Sequence, residues 1–235
     1  MTTSSHDIIQ ALRNVPYFSS LDTADLTELS RSMIRRKYAL SQVIFHMDDP
    51  GGLLYIILEG KVKVYRTNAE GNEAVLAILG IGEFFGELSL IDNEPRSATA
   101  EAIEDAQVYT LHRDDFLRFL KNNPAFSIQI SSVLAQRIRS MNEQVSDVLF
   151  LDLPGRLARK LIQLAENHGE EREDGIYIPI SLTQSNLAEM TGATRVSVNK
   201  ALKVFRDAGW VTVANRKITI NDMDALSNRI MISGG

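Results

Sequence analysis

Gly82-Glu-Phe-Phe-Gly-Glu-Leu-Ser-Leu-Ile-Asp-Asn-Glu-Pro-Arg-Ser-Ala-Thr-Ala100 sets a Gly-Glu pair, a short apolar helix-like segment and Pro-Arg-Ser-Ala-Thr in succession. A helix start at Gly86, Glu87 and Leu88 offers backbone N–H groups to an anion. Arg96 is a fixed planar donor suited to a phosphate, and Ser97 adds a hydroxyl. Glu87 only accepts hydrogen bonds, so it suits a sugar hydroxyl and repels a phosphate. Taken singly these residues mean little, because a lone Glu–Arg pair is more often a structural salt bridge.

The surroundings are β-rich. Residues 53–58 are an apolar run, Glu59-Gly60 is a turn, and Lys61-Val-Lys-Val64 alternates as a half-buried strand does. Residues 68–72 make another turn before residues 74–79, and half of the 14 glycines fall between Gly51 and Gly86. Closely spaced strands with glycine corners predict a small barrel or roll rather than an α/β sheet. Upstream, residues 6–36 hold two short amphipathic segments. Asp22 or Thr23 can cap the second, with Leu26 and Leu29 on its buried face. Downstream, residues 113–120 predict a short helix with Phe116, Leu117 and Leu120 inward.

Read together, Phe85-Gly-Glu-Leu88 and Pro95-Arg-Ser-Ala-Thr99 closely resemble the phosphate-binding cassette of cyclic-nucleotide-binding domains. That family runs Phe-Gly-Glu-Leu, a short helix, then Arg-Ser/Ala/Thr-Ala. The resemblance implies a jelly-roll-like β-roll with Gly86, Glu87, Leu88, Arg96 and Ser97 around the ligand. Glu87 would hold the ribose 2′-hydroxyl, and Arg96 and Ser97 the cyclic phosphate.

After Asn122-Asn-Pro124 comes a run with no Gly or Pro until Pro154. Leu134, Ile138, Met141, Val145 and Val148 follow the 3.5-residue repeat of a seam between paired helices, along a helix of roughly 40 Å. A helix buried in a single core is the other reading. The end of the run, Val148-Leu-Phe-Leu-Asp-Leu-Pro-Gly-Arg156, resembles the hinge of the cyclic AMP receptor protein family, with Asp152 capping the next helix and Pro154 in its first turn. Matched through that hinge, Arg137 falls where an arginine pairs with the cassette glutamate. Met141 and Asn142 fall where Thr-Ser or Thr-Asn reaches the exocyclic amine of adenine. Asn142 can donate and accept there, but a thioether at Met141 is a weak acceptor and no donor.

Residues 156–168 read as a helix and residues 169–175 as a charged, solvated loop. In Ile180-Ser-Leu-Thr-Gln-Ser-Asn-Leu-Ala-Glu-Met-Thr-Gly-Ala-Thr-Arg-Val-Ser-Val-Asn-Lys-Ala-Leu-Lys-Val-Phe-Arg-Asp-Ala-Gly-Trp210, Thr183 caps a short helix, Gly192 sits in a tight turn and Thr194 caps a second helix. Leu187, Ala188, Val198, Leu202 and Phe205 fit the packing of two crossed helices. The second helix leaves Arg195, Val196, Asn199, Lys200 and Lys203 outward. Residues 209–213 and 217–220, joined at Asn215-Arg216, make a hairpin that serves as a wing. A winged helix-turn-helix of this kind reads double-stranded DNA, with Arg195 and Lys200 on guanines and Gln184, Ser185 and Ser197 on phosphates. It resembles the same regulator family, which often has Arg-Glu-Thr-Val-(Gly/Asn)-(Arg/Lys). Here Arg195-Val-Ser-Val-Asn-Lys200 lacks the glutamate, and with it an acceptor for a cytosine amine.

The 235 residues give room for one large or two modest domains, and 44% hydrophobic with 23% charged residues is an ordinary globular composition. No apolar run approaches the roughly 20 residues that span a bilayer, and the polar start has no signal-peptide core, so a cytoplasmic address is expected. The absence of cysteine excludes disulfides, thiolate zinc sites and cysteine-ligated iron–sulfur clusters. Net charge is −5, divided as −6 over residues 1–151 and +1 over residues 152–235. Within residues 191–206 stand Arg195, Lys200, Lys203 and Arg206 and no acid, a local positive strip. His6, His46, His112 and His168 lie apart without metal-ligand spacing, and no nucleophile–base set stands out, so neither an enzyme nor a metal site is expected.

The expected architecture is α+β: a β-roll over residues 1–123, a dimerisation helix and hinge over 124–151, and a winged helix-turn-helix over 152–235. By resemblance the function is a homodimeric, cyclic AMP-responsive transcription regulator on a palindromic operator, with RNA polymerase as a further partner, no membrane and no cofactor beyond the allosteric nucleotide. The alternative is a regulator of the same family that is ligand-independent or answers to another effector such as cyclic GMP. Arg96→Ala is expected to abolish nucleotide-dependent DNA binding and leave a folded dimer; calorimetry showing unchanged nucleotide affinity would refute the assigned role.

Overall fold

The computed structural model describes residues 5–13, 15, 18 and 21–233. The first four residues of the polar start lie outside them. The chain divides into two compact units, Met1–Asn68 with Val75–Arg137, and Ala69–Ala74 with Ile138–Gly235.

In the first unit, helices α1 (Ser5–Arg13) and α2 (Thr23–Arg31) precede eight strands. Asp22 is the N-cap of α2, accepting from the Asp25 N–H at 2.8 Å, and Leu26 and Leu29 are buried as the pattern required. The strands are β1 (Ile34–Tyr38), β2 (Val43–Phe45), β3 (Leu53–Glu59), β4 (Val62–Thr67), β5 (Glu73–Leu79), β6 (Phe84–Phe85), β7 (Thr99–Ala102) and β8 (Ala106–His112), with α3 (Leu88–Ile91) between β6 and β7. They form two four-stranded sheets, ordered β1-β8-β3-β6 and β2-β7-β4-β5. Strand β3 explains its own unbroken apolar run, because it is buried on both faces. Tyr55 and Ile57 pack inside the roll with Phe85, Ala100 and Val108. Leu54 and Ile56 face a second cluster with Leu12, Leu26, Phe84 and Phe116.

Helix α4 (Arg113–Asn122) buries Phe116 and Phe119, while Leu117 and Leu120 pack half-buried against the same cluster. The long helix α5 (Pro124–Phe150) carries two stripes. Phe126, Ile130 and Val133 are buried against the first unit, and Arg137 continues that four-three-four spacing. The other stripe begins at half-buried Leu134 and continues through Ile138, Met141, Val145 and Val148, which stand 59%, 61%, 60% and 62% exposed. The reading as a helix wholly inside one core is thereby overturned, since its second half presents an apolar row to solvent.

The second unit contains α6 (Leu153–His168), β9 (Glu170–Arg172), β10 (Gly175–Ile178), α7 (Gln184–Thr191), α8 (Arg195–Asp207), β11 (Val211–Ala214), β12 (Lys217–Ile220) and α9 (Met223–Ser233). The stretch expected to be a solvated loop is a hairpin instead: β9 pairs with β10 antiparallel. Glu173-Asp174 is its turn, Gly175 opens β10 opposite Arg172 at φ +132°, and the Arg172 guanidinium lies 3.4 Å from the Tyr177 ring centre. The sheet continues as β11-β12-β10-β9, so the wing and this hairpin share one sheet. Thr183 caps α7 with a capping box, and Gly192 ends it at φ +62°. Thr194 caps α8. Helix α9 escaped the sequence reading; Leu226 and Ile230 bury it in this unit.

Phe126 couples α5 to the first unit, stacking on Phe18 at 5.2 Å and meeting Phe119 edge-on at 5.3 Å. Phe126→Ala should cost that unit about 3–5 kcal/mol. Denaturant unfolding followed by circular dichroism should show an early-melting fraction, while fluorescence of the single Trp210, in the other unit, keeps its midpoint.

Candidate functional site

The cassette is built by a two-residue strand, a turn and a one-turn helix. Gly86 follows β6 at φ +81°, a left-handed conformation that favours glycine, and Glu87 stands at the N-cap of α3. Glu87 and Arg96 are each only 4% exposed. The Glu87 carboxylate accepts from Arg137 Nη1 at 2.7 Å, while Arg137 Nη2 donates to the Phe84 carbonyl at 2.5 Å and its guanidinium lies 4.8 Å from the Phe84 ring centre. Arg137 reaches this place because it extends the buried stripe of α5.

Arg96 is held more fully. Its Nη1 donates to the Gly86 carbonyl at 2.8 Å and the Ser89 hydroxyl at 2.9 Å, and its Nη2 to the Leu53 carbonyl at 2.8 Å. The guanidinium lies 4.3 Å from the Phe45 ring centre and 5.6 Å from that of Tyr55. Its Nε is buried with no hydrogen-bond partner. Burial lowers the Arg96 pKa, opposed by Tyr55, Glu87 and Asp49. Glu83 accepts from the Gly80 N–H at 2.8 Å, and burial raises its pKa against that bond and the charge of Arg137.

Gly86, Glu87, Arg96 and Arg137 therefore meet in one place. Leu88 and Ser97 flank them with exposed side chains. Met141 and Asn142 are exposed on α5 within the second unit. The residue set suits a cyclic nucleotide: an acceptor for a sugar hydroxyl, a buried unpaired Arg96 N–H and a free-standing Ser97 hydroxyl for phosphate. Phe45, Tyr55, Leu53 and Ser89 hold Arg96 and were missed in the sequence. Nothing local marks them, since Leu53 lies 43 residues from its partner.

In the second unit, the outward face of α8 carries Arg195, Val196, Asn199, Lys200 and Lys203, all exposed. Thr183, Ser185, Thr194 and Ser197 stand at the two helix starts, and the Thr194 and Ser197 hydroxyls are 2.9 Å apart. Gln184 is drawn toward α8, donating to Asn199 Oδ1 at 2.9 Å and accepting from Arg195 Nε at 3.4 Å. At the start of α6, Asp152 accepts from the Gly155 N–H at 2.9 Å and pairs with Arg229 of α9. Arg156 donates to the Leu151 carbonyl at 2.9 Å and the Thr191 carbonyl at 3.0 Å, tying the hinge to the end of α7. Asp147 lies 3.5 Å from Arg159, and its charge supports Lys160, whose pKa burial lowers.

Among the described residues no group of His, Asp and Glu is arranged to hold a metal ion, and no helix is long and apolar enough to cross a membrane. A β-roll with a buried acid–arginine cassette, followed on one chain by a winged helix-turn-helix with a basic outer face, defines a small-molecule-responsive DNA-binding regulator.

Comparison with known proteins makes this specific. Residues 35–123 match the cyclic nucleotide-binding domain family, and residues 155–229 the Crp-like helix-turn-helix domain family. The chain is 33% identical over 220 residues to a CRP-like cAMP-activated global transcriptional regulator of Mycobacterium tuberculosis, covering 94% of this chain and 98% of that protein. It is 29% identical over 211 residues to the cyclic AMP receptor protein of Thermus thermophilus, covering 90% and 94%. The solved c-di-GMP-responsive regulator CLP of Xanthomonas campestris shares the fold with a TM-score of 0.74 at 22% identity, over 85% of this chain and 99% of that one. The chain belongs to the cyclic AMP receptor protein family of transcription regulators. It is a cyclic-nucleotide-responsive, DNA-binding member of that family.

The geometry changes what Arg96→Ala tests. Removing a side chain that satisfies two buried carbonyls and a hydroxyl also costs stability, on the order of 3 kcal/mol. Gly86→Ala disturbs the same centre from the backbone. An added Cβ would lie 2.5 Å from Arg96 Nη1 and 3.0 Å from the Leu53 carbonyl oxygen. It should lower stability by about 2 kcal/mol and weaken nucleotide affinity, as read by denaturant titration and by calorimetry with cyclic AMP.

Proposed function

We propose that this chain is a homodimeric regulator whose effector is cyclic AMP and whose operator is a palindromic DNA duplex. The observation that carries the reading is the meeting of Glu87, Arg96 and Arg137, with Ser97 beside them. Glu87 would take the ribose 2′-hydroxyl, Arg96 and Ser97 the cyclic phosphate, and Gly86 and Leu88 would shape the cassette. Met141 and Asn142 would approach the base. The relatives named for cyclic AMP support this choice of effector.

The partner for the exposed row Ile138, Met141, Val145 and Val148 is a second copy of the same helix, whose 3.5-residue repeat suits a two-stranded seam. The functional division is a β-roll over residues 1–123, the seam helix and hinge over 124–151, and the DNA reader over 152–235. In a dimer, two α8 helices about 34 Å apart would enter successive major grooves of one operator. Thr183, Ser185, Thr194 and Ser197 stand where phosphates would pass, and Arg195, Val196, Asn199, Lys200 and Lys203 where base edges and backbone would. Cyclic AMP would act through its differential affinity for the two arrangements of the reader. Transcription control then also calls for RNA polymerase as a partner and a cytoplasmic setting.

Met141 favours attention to a second effector. Lacking a hydroxyl toward the adenine amine, it weakens the basis for preferring cyclic AMP over cyclic GMP. Calorimetry with both nucleotides, paired with DNA binding at increasing nucleotide, should show cyclic AMP binding and raising operator affinity. DNA binding unaffected by either nucleotide would overturn the reading. Met141→Thr should sharpen discrimination for cyclic AMP about tenfold, and Val145→Glu should convert the dimer to monomer in sedimentation.

A further inference from the structure

The protonation chemistry of three side chains at the DNA-reading face dictates a direction. Arginine only donates, so the Gln184 atom facing Arg195 Nε at 3.4 Å must be its amide oxygen. The Gln184 nitrogen is thereby turned toward Asn199, and donates to it at 2.9 Å. The Asn199 atom facing Gln184 is then its oxygen, which leaves its NH2 group facing away. One donor-only residue thus fixes the orientation of two amides in series. Gln184 opens α7, whereas Arg195 and Asn199 stand one turn apart on α8, so the bridge crosses between the two helices.

We propose that Gln184 is a positioning residue that sets the base preference of Arg195 and Asn199 together, rather than a phosphate contact. Resting on the DNA-reading function, the proposal names what each residue reads. With Nε engaged, Arg195 offers its two Nη groups, the pair that matches guanine O6 and N7. Asn199 keeps its oxygen toward Gln184 and turns its NH2 outward. An outward donor meets an acceptor on thymine O4, guanine O6 or N7 and adenine N7, but only another donor on cytosine. Asn199 therefore selects against cytosine.

The test is selection from a randomised duplex library, with the full-length protein in saturating cyclic AMP and again without nucleotide. Wild type should enrich guanine at one position and deplete cytosine at the other. Gln184→Ala should loosen guanine preference about tenfold and admit cytosine at the second position, while affinity for a scrambled duplex stays within about twofold. Gln184→Glu is sharper: a carboxylate still accepts from Arg195 but cannot donate to Asn199, whose amide must turn over and expose its oxygen. It should keep guanine at the first position and turn depletion of cytosine at the second into enrichment, since the cytosine amine donates. Circular dichroism with an unchanged melting profile establishes that both variants fold. Equal loss on operator and scrambled DNA, or unchanged base preferences in both variants, would overturn the proposal. Absence of any sequence preference in wild type would overturn the DNA-reading function beneath it.

Discussion

The ion pair between Glu87 and Arg137 is the constraint around which the first unit is arranged. A carboxylate that is 5% exposed has lost its water, and an unpaired charge there would cost several kcal/mol. Its partner comes from the long helix α5, 50 residues further along the chain. Satisfying it requires α5 to keep one rotational setting, the one in which Phe126, Ile130 and Val133 fill the core ahead of Arg137. Further along the same helix, Ile138, Met141, Val145 and Val148 are exposed.

Arg96, the group proposed to take the cyclic phosphate, is also structural. Its two Nη groups are satisfied by carbonyls and a hydroxyl, and aromatic rings line its plane. An anion would meet the unpaired Nε–H, whereas contact with Nη1 competes with the Gly86 carbonyl and the Ser89 hydroxyl. To the extent that it does, binding is an exchange of hydrogen bonds with a net free energy small compared with the gross strength of the contact. Such an exchange is sensitive to the backbone of β3 and β6, which supply those carbonyls.

The reading face follows a related logic. Three polar side chains interlock through their hydrogen-bond polarity, so the chemistry offered outward is decided by the bonds made inward. At the hinge, Asp152 serves both as the cap of α6 and as the partner of Arg229 on α9, joining the C-terminal helix to the start of the reader.

Local signals survived translation into structure wherever their cause was local. Caps at Asp22, Asp152, Thr183 and Thr194, the glycine turn at Gly192 and the two-residue turn at Asn215-Arg216 are short-range hydrogen-bond and φ/ψ effects, and the chain spells them directly. The same holds for the cassette motif and the α5 repeat, whose residues lie within a few turns of one another. The β9–β10 hairpin was hidden because its charged residues, with Glu173-Asp174 at the turn, read as solvated. Helix α9 was hidden because its buried face shows only when α6 is beside it. What only the tertiary structure decided is who satisfies whom: that Arg96 rests on Leu53, Ser89 and Phe45, that Arg137 meets Glu87, and that Gln184 bridges to Asn199 on α8. Partners so far apart in sequence are chosen by burial, because a desolvated polar group takes whichever complementary atom the packed fold brings within 3 Å or so.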